Sequence, residues 1–249
     1  MLYHKIRKKN NTFFFGHRGA PNIAPENSII SLSKSIELGS DGVEVDIQIT
    51  KDYKIILFHD NFILSSSNKK HFIQKTKYEM IVQLCIENNI PKPDLFDSLI
   101  PLIINNPTIV FNLEIKSLSL NNSKILSYIL NNIDQEILYN QCIISSFNYF
   151  LLYQLRFLLL YTGSIAFILG PNHIEGRISL IINKGLIIFL KPNFLHVSID
   201  NYSQLPIEWI RNQSILINVY TINDNIQLKK YIALGADGIF TDNHFLYHK

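Results

Sequence analysis

The chain has 249 residues, a length that one α/β barrel can fill as a single domain with one large core. With 47% hydrophobic and 17% charged residues it has the opposite balance to a disordered chain. A formal charge of +3, visibly carried by Lys5, Arg7, Lys8 and Lys9, excludes the broad basic face of a nucleic-acid groove.

The first predicted strand is Phe13 to His17, and the apolar run Thr12 to Phe15 before His17-Arg18-Gly19 falls short of the ~7–15-residue core of a signal peptide. A cytoplasmic protein is expected. A helix from Ser28 to Leu38 stops at Gly39, and a second strand spans Val43 to Ile49. Lys54 to His59 reads as an additional strand, hairpinned or continuing after Lys51-Asp52, and Ser65 to Lys70 as a polar loop. Tyr78 to Glu87 and Leu95 to Ile104 follow as helices.

Strands are then expected at Val110 to Lys116, Ile143 to Phe147, Ser164 to Ile168, Leu186 to Leu190, Ile215 to Thr221 and Gly238 to Thr241. Helical periods at Ser123 to Ile133 and Asn225 to Leu234 lie between them, the latter ending at Gly235. Eight strands alternating with helices predict a (β/α)8 TIM barrel occupying residues 1–249 as a single domain. About 60 residues separate the second and third barrel strands, so a small insertion is expected at about 60–107. The apolar stretch Phe147 to Gly170 is interrupted by Gln154, Arg156 and Thr162-Gly163-Ser164, which argues for a short helix and a buried strand rather than a membrane anchor. Cys85 and Cys142 have no C-x-x-C spacing and are expected as buried thiols.

Chemistry concentrates in two strands. Glu44 and Asp46 stand at i and i+2, so both side chains project to one face while Val45 faces away. Asn112, Glu114 and Lys116 repeat the device between Leu113 and Ile115. In a barrel this puts three carboxylates and a lysine inside, where ionised acids need a cation or strong partners. Oxygen-only ligation favours Mg2+ or Ca2+ over Zn2+. His17 and His59 each end a predicted strand, and barrel active sites lie at strand C-termini. A lone histidine there more often packs or caps, which is the reading given to His4, His71, His173, His244 and His248; His196 is left undecided, with packing preferred. A pair of imidazoles beside a metal can divide acid and base work near neutral pH.

Taken in order, His17-Arg18-Gly19, Pro25-Glu26-Asn27-Ser28, Gly39 to Thr50, Lys51-Asp52, His59-Asp60, Leu113 to Lys116, Ser146-Phe147, Tyr220 to Asn223 and Gly235 to Asp242 closely resemble the glycerophosphodiester phosphodiesterase family over nearly the whole chain. The resemblance implies Glu44, Asp46 and Glu114 as ligands of one divalent cation, His17 and His59 as the acid/base pair, and Arg18 and Lys116 as phosphate contacts. It also marks Asn27 and Tyr220 as substrate-binding residues. The implied substrates are glycerophosphocholine, glycerophosphoethanolamine and similar small diesters, cleaved to sn-glycerol 3-phosphate and an alcohol, with water or the neighbouring glycerol hydroxyl as nucleophile. Ser28 and Tyr220 replace the family's usual threonine and tryptophan, and Leu64 to Ser67 depart from its usual arginine and threonines. These departures bear on substrate preference. The competing expectations are a lysophospholipase D or sphingomyelinase D-like activity, disfavoured by the polar loops Ser65 to Phe72 and His173 to Arg177, and a non-catalytic phosphodiester-binding barrel.

Overall fold

Alternation of side chains along each strand decides the architecture, because every barrel strand must satisfy a core on both faces. In a computed structural model, which describes Leu2 and residues 12–116, 122–170 and 184–247, the barrel strands are β1 (Phe13–Gly16), β2 (Gly42–Ile49), β6 (Val110–Ile115), β7 (Cys142–Ser146), β8 (Ser164–Leu169), β9 (Phe194–Ser198), β10 (Leu216–Tyr220) and β11 (Gly238–Thr241). The remaining strands are β3 (Ile55–Leu57), β4 (Phe62–Leu64) and β5 (Lys70–Phe72). The basic run Lys5 to Lys9, His4, His248 and the loop His173 to Arg177 lie outside the described residues.

The eight barrel strands pair in parallel, and β1 pairs with both β2 and β11, which closes the sheet. The expected TIM barrel is thus present. On β2, Val43, Val45, Ile47 and Ile49 face outward into the main core, joined by Phe111, Leu113 and Ile115 of β6. Burying each such side chain is worth roughly 1.5–3 kcal/mol, which offsets the cost of holding carboxylates on the inner face of the same strands. Inside the barrel a separate cluster that includes Phe13, Phe15, Val110, Ile143, Phe194 and Phe240 fills the end beneath the strand N-termini, with the Phe15 and Phe240 rings stacked at 4.7 Å. Register places Glu44 beside Asn112 and Asp46 beside Glu114.

Helix α1 (Ile29–Glu37) starts at Ser28, whose hydroxyl accepts from the Ser31 N–H, and Gly39 takes a positive φ just after its end. The long second connection holds the β3 strand, a β4–β5 hairpin, α2 (Tyr78–Glu87) and α3 (Leu99–Asn105). Ile56, Ile63, Ile73, Ile81, Leu84 and Cys85 give this insertion its own small core. The loop expected over Ser65 to Lys70 is therefore the tip of a hairpin, with Lys70 already paired to Leu64. Cys85 and Cys142 are both buried and free. Helices α4 (Asn122–Asn132) and α5 (Gln135–Gln141) precede β7, and α5, capped by Asp134, was not expected.

One strand assignment needs correction. Leu186 to Leu190 belongs to a helix over 184–190, in which Ile187 and Leu190 are buried while Ile188 and Phe189 are exposed. That three-residue spacing is helical, whereas a strand would bury every second residue. The real strand, β9, begins after Lys191-Pro192-Asn193 and was overlooked because His196 interrupts its apolar run. Among the described residues no helix is long and apolar enough to cross a membrane.

Candidate active site

The carboxylates of Glu44, Asp46 and Glu114 each present an oxygen within 4.8 Å of the others, at the C-terminal mouth of the barrel. Glu44 and Asp46 are almost fully buried, and Glu44 Oε1 has no hydrogen-bond partner among the described residues. Burial, and then the charges of Asp46 and Glu114, hold the Glu44 carboxyl well above the usual carboxylate range. Glu114 is pushed up to about 7 by burial and Asp46, against the opposing charge of Lys116. Three crowded acids with an unpartnered oxygen and an all-oxygen donor set fit a hard divalent cation.

The backbone around the triad is held by left-handed residues. Arg18 has φ 54° and its N–H donates to Glu44 Oε2 at 2.8 Å. Asn27, also at φ 54°, donates through Nδ2 to Asp46 Oδ2 and accepts the Asp46 N–H on Oδ1, both at 2.9 Å. Non-glycine residues adopt this region rarely, and such strain gathers at functional sites. Gly19 completes the turn, since a Cβ there would lie 2.5 Å from the Ser31 backbone. The Asn27 amide is thus bonded to Asp46, and Asn27 lines a neighbouring pocket that it shares with His59.

Cations flank the acids. Lys116 Nζ lies 3.3 Å from both Asp46 Oδ1 and Glu114 Oε1, and Arg18 Nε lies 3.4 Å from Asp46 Oδ2. The Arg18 Nη1 also donates to Glu26. Burial disfavours the Lys116 ammonium, but Asp46, Glu114 and Glu44 outweigh it and raise its pKa.

His17 and His59 both line the cavity, each with Nδ1 2.8 Å from a carboxylate: Asp242 for His17 and Asp60 for His59. His17 turns its Nε2 toward Glu44 Oε2, at 4.0 Å. His59 arrives by the hairpinned of the two routes open to its strand, because β3 runs antiparallel to β2. The β2–β3 hairpin overshoots the barrel rim and folds back, and the Phe58 N–H donates to the Asp46 carbonyl, which returns His59 to the mouth. Gln48 fixes that segment by donating through Nε2 to the carbonyls of Phe58, His59 and Asp60. Burial, helped by Lys116 and Arg18 and opposed by Asp46 and Asp60, lowers the His59 pKa.

Asp242, Asp60 and Gln48 were not singled out from the sequence. Gln48 shares the i+2 parity of Glu44 and Asp46, and that was a usable signal; the two aspartates stand within the motifs His59-Asp60 and Gly235 to Asp242, which gave them no role of their own. Tyr220 lines the cavity and donates its hydroxyl to the Leu169 carbonyl at 3.1 Å. His196, for which packing was preferred, also lines it. The central cavity, about 180 Å3, is smaller than the roughly 300–1,000 Å3 of pockets for drug-sized ligands, so its occupant is small.

An acid cluster between two carboxylate-bound histidines and two phosphate-type cations, at the mouth of a TIM barrel, defines an enzyme of the phosphoric diester hydrolase class. The sequence model of the Glycerophosphoryl diester phosphodiesterase family matches residues 17–244. The chain belongs to that family. It is 26% identical to the uncharacterized protein YqiK of Bacillus subtilis, over 93% of this chain and 95% of that one. It is 25% identical to a glycerophosphodiester phosphodiesterase of Caldanaerobacter subterraneus, over 93% and 94% respectively. Among solved structures, a phosphodiesterase of Oleispira antarctica in complex with the product sn-glycerol-3-phosphate shares the fold, with a TM-score of 0.72 and 22% identity over 92% of each chain.

Proposed function

We propose that this enzyme hydrolyses glycerophosphodiesters such as glycerophosphocholine and glycerophosphoethanolamine to sn-glycerol 3-phosphate and an alcohol, and that its activity depends on one divalent cation, Mg2+ or Ca2+, held by Glu44, Asp46 and Glu114. The observation that carries this reading is the acid triad set between His17 and His59, each imidazole oriented by its own carboxylate. When bound, the cation would supply Lewis-acid neutralisation of a non-bridging phosphate oxygen. Arg18 and Lys116 add positive charge where negative charge grows in the transition state. With Nδ1 held by Asp242, His17 Nε2 draws the proton from the attacking hydroxyl. His59, held by Asp60, gives a proton to the departing alkoxide. Asn27 keeps Asp46 in register, and the Tyr220 ring walls the cavity.

The product bound to the Oleispira enzyme supports the product assigned here. The test is a panel of glycerophosphodiesters and lysolipids, each incubated with Mg2+, Ca2+ or excess chelator and assayed for glycerol 3-phosphate. Cation-dependent release from the deacylated diesters is expected. Full activity in chelator would remove the cation from the scheme, and a kcat/KM favouring lysophosphatidylcholine over glycerophosphocholine would replace the substrate class.

A further inference from the structure

The outer flank of the barrel over β7 and β8 departs from the rule that a surface helix turns polar side chains to water. Helix α6 (Tyr149–Tyr153) runs on into a π-helical turn over Gln154–Leu158. Leu151, Leu152 and Leu155 face inward and are fully buried. The opposite face is apolar as well. Phe150, Tyr153 and Phe157 stack along it at ring separations of 6.1 and 5.2 Å, and Phe189 of the helix over 184–190 closes on Tyr153 and Phe157 at 5.8 and 5.1 Å. Phe157 is 41% and Phe189 55% exposed. Phe157-Leu158-Leu159-Leu160 are four consecutive exposed apolar residues, and Leu160 is 75% exposed at a left-handed φ of 53°. Such a run on a surface needs a functional reason.

Charge is kept off this flank. Between residues 147 and 160 the one charged residue is Arg156, and its guanidinium is turned inward: Nη1 donates to the carbonyls of Tyr161 and Gly163, and Nη2 to Asn193 Oδ1. In the helix over 184–190 it is Lys184, which lies over the Trp209 ring at 5.3 Å, and exposed Lys191 stands at the edge. A whole aromatic side chain has roughly 150–250 Å2 of surface, so Phe150, the run Phe157 to Leu160, Ile188 and Phe189 leave on the order of 700–800 Å2 of apolar area in water. The largest apolar patch of a typical monomer is about 300–600 Å2, and one side of a stable protein interface is about 800 Å2. Aromatic residues without charge are also the composition of an interface core. Bilayer-binding faces set Lys or Arg beside their rings to meet the headgroups, and a charged partner would need charges to match; the described residues of this flank supply neither at its centre. An uncharged stacking surface complements another copy of itself across a two-fold axis. We infer that this flank is the interface of a symmetric dimer of the chain, with Phe157 and Phe189 at its centre. Exposed Phe147, which lines the catalytic cavity, begins the same run, so the interface borders the mouth. The inference does not rest on the reaction proposed above.

The test is sedimentation equilibrium of the full chain from sub-micromolar to tens of micromolar. A species of twice the mass of one chain is expected. F157E and F189E each place a charge at the centre of the contact and should weaken dimerisation at least about tenfold, and the double variant should be monomeric throughout. I226E adds the same charge at a residue 83% exposed on the helix Asn225–Ala233, and should dimerise as the wild type does. Should a variant fold poorly, hydrogen exchange on the unaltered chain decides: amides of 157–160 and 184–190 should gain protection as concentration rises, and unchanged protection overturns the assignment. A wild type that is monomeric at every concentration overturns it, as does a dimer that survives in the double variant or dissociates equally in I226E. Monomer that sediments with phosphatidylcholine vesicles would give the flank to a bilayer and overturn it likewise.

Discussion

The two imidazoles proposed as the acid/base pair have the same anchoring and different surroundings, which would separate their tasks. His17 sits against buried Glu44, whereas burial, helped by Lys116 and Arg18 against the pull of Asp46, lowers the pKa of His59 and makes it readier to give up a proton. An alkoxide leaves poorly without a proton and a nitrophenolate leaves readily. H59A should therefore lose far more activity on glycerophosphocholine than on an aryl phosphodiester, by a factor within the roughly 10^2 to 10^4 of general acid help, while H17A should depress both alike. Equal losses from H59A on the two substrates would remove it as the acid. His196 makes a second residue-level prediction, in stability. A histidine whose folded pKa lies near 3 against about 6.5 in the unfolded chain binds fewer protons when folded, so its contribution is intact above pH 6.5 and is lost as pH falls toward 3. The groups set against its ring are Phe194, Phe240 and the cross-strand neighbours Ile168 and Asn218, and none of them titrates. H196L should thus gain on the wild type in melting temperature progressively as pH drops from 6.5, and a difference independent of pH would contradict this. In the sequence, the parity of Glu44, Asp46 and Glu114 was legible because strand geometry obliges it. His196 was not, because a histidine among apolar residues reads the same whether it packs or faces a cavity.

At the scale of elements, the barrel strand β2 is longer than closure requires, and the extra length serves His59. Gln48, on the inner face of that extension, holds three consecutive carbonyls. Replacing it with leucine leaves them without this donor, at roughly 1–3 kcal/mol for a buried polar group left unsatisfied, and frees the segment carrying His59. Q48L is expected to lower kcat on glycerophosphocholine more than it raises KM, with a smaller effect on the aryl diester. A uniform loss on both substrates would show that the clamp acts on the whole site and not on His59. Most elements could be read from the sequence, since Val43 to Ile49 and Tyr78 to Glu87 carry the periods of strand and helix without ambiguity. Leu186 to Leu190 could not, because a five-residue apolar run fits either period until burial shows which residues are inside. The antiparallel return of β3 was one of two readings of Lys54 to His59, as pairing direction leaves no mark in a three-residue strand.

For the molecule as a whole, the triad sets stability against function. Two buried acids and a partly buried third repel one another in the metal-free protein, so saturating Mg2+ or Ca2+ should raise the melting temperature, by about 2.7 kcal/mol of stability at a hundredfold excess over Kd. E44Q should melt higher than the wild type in chelator and gain less from the cation. A melting temperature indifferent to divalent cations would count against the metal assignment. The interior aromatic plug has a further consequence. Phe13, Phe15, Phe194 and Phe240 fill the barrel from below, so among the described residues the cavity opens toward the strand C-termini. Whatever lodges at its closed end must leave its other half outside, and the first fragment to depart must be the one nearest the door. Traffic through such a dead end is last in, first out. Selection in such a cavity is expected to fall first on the end that goes in.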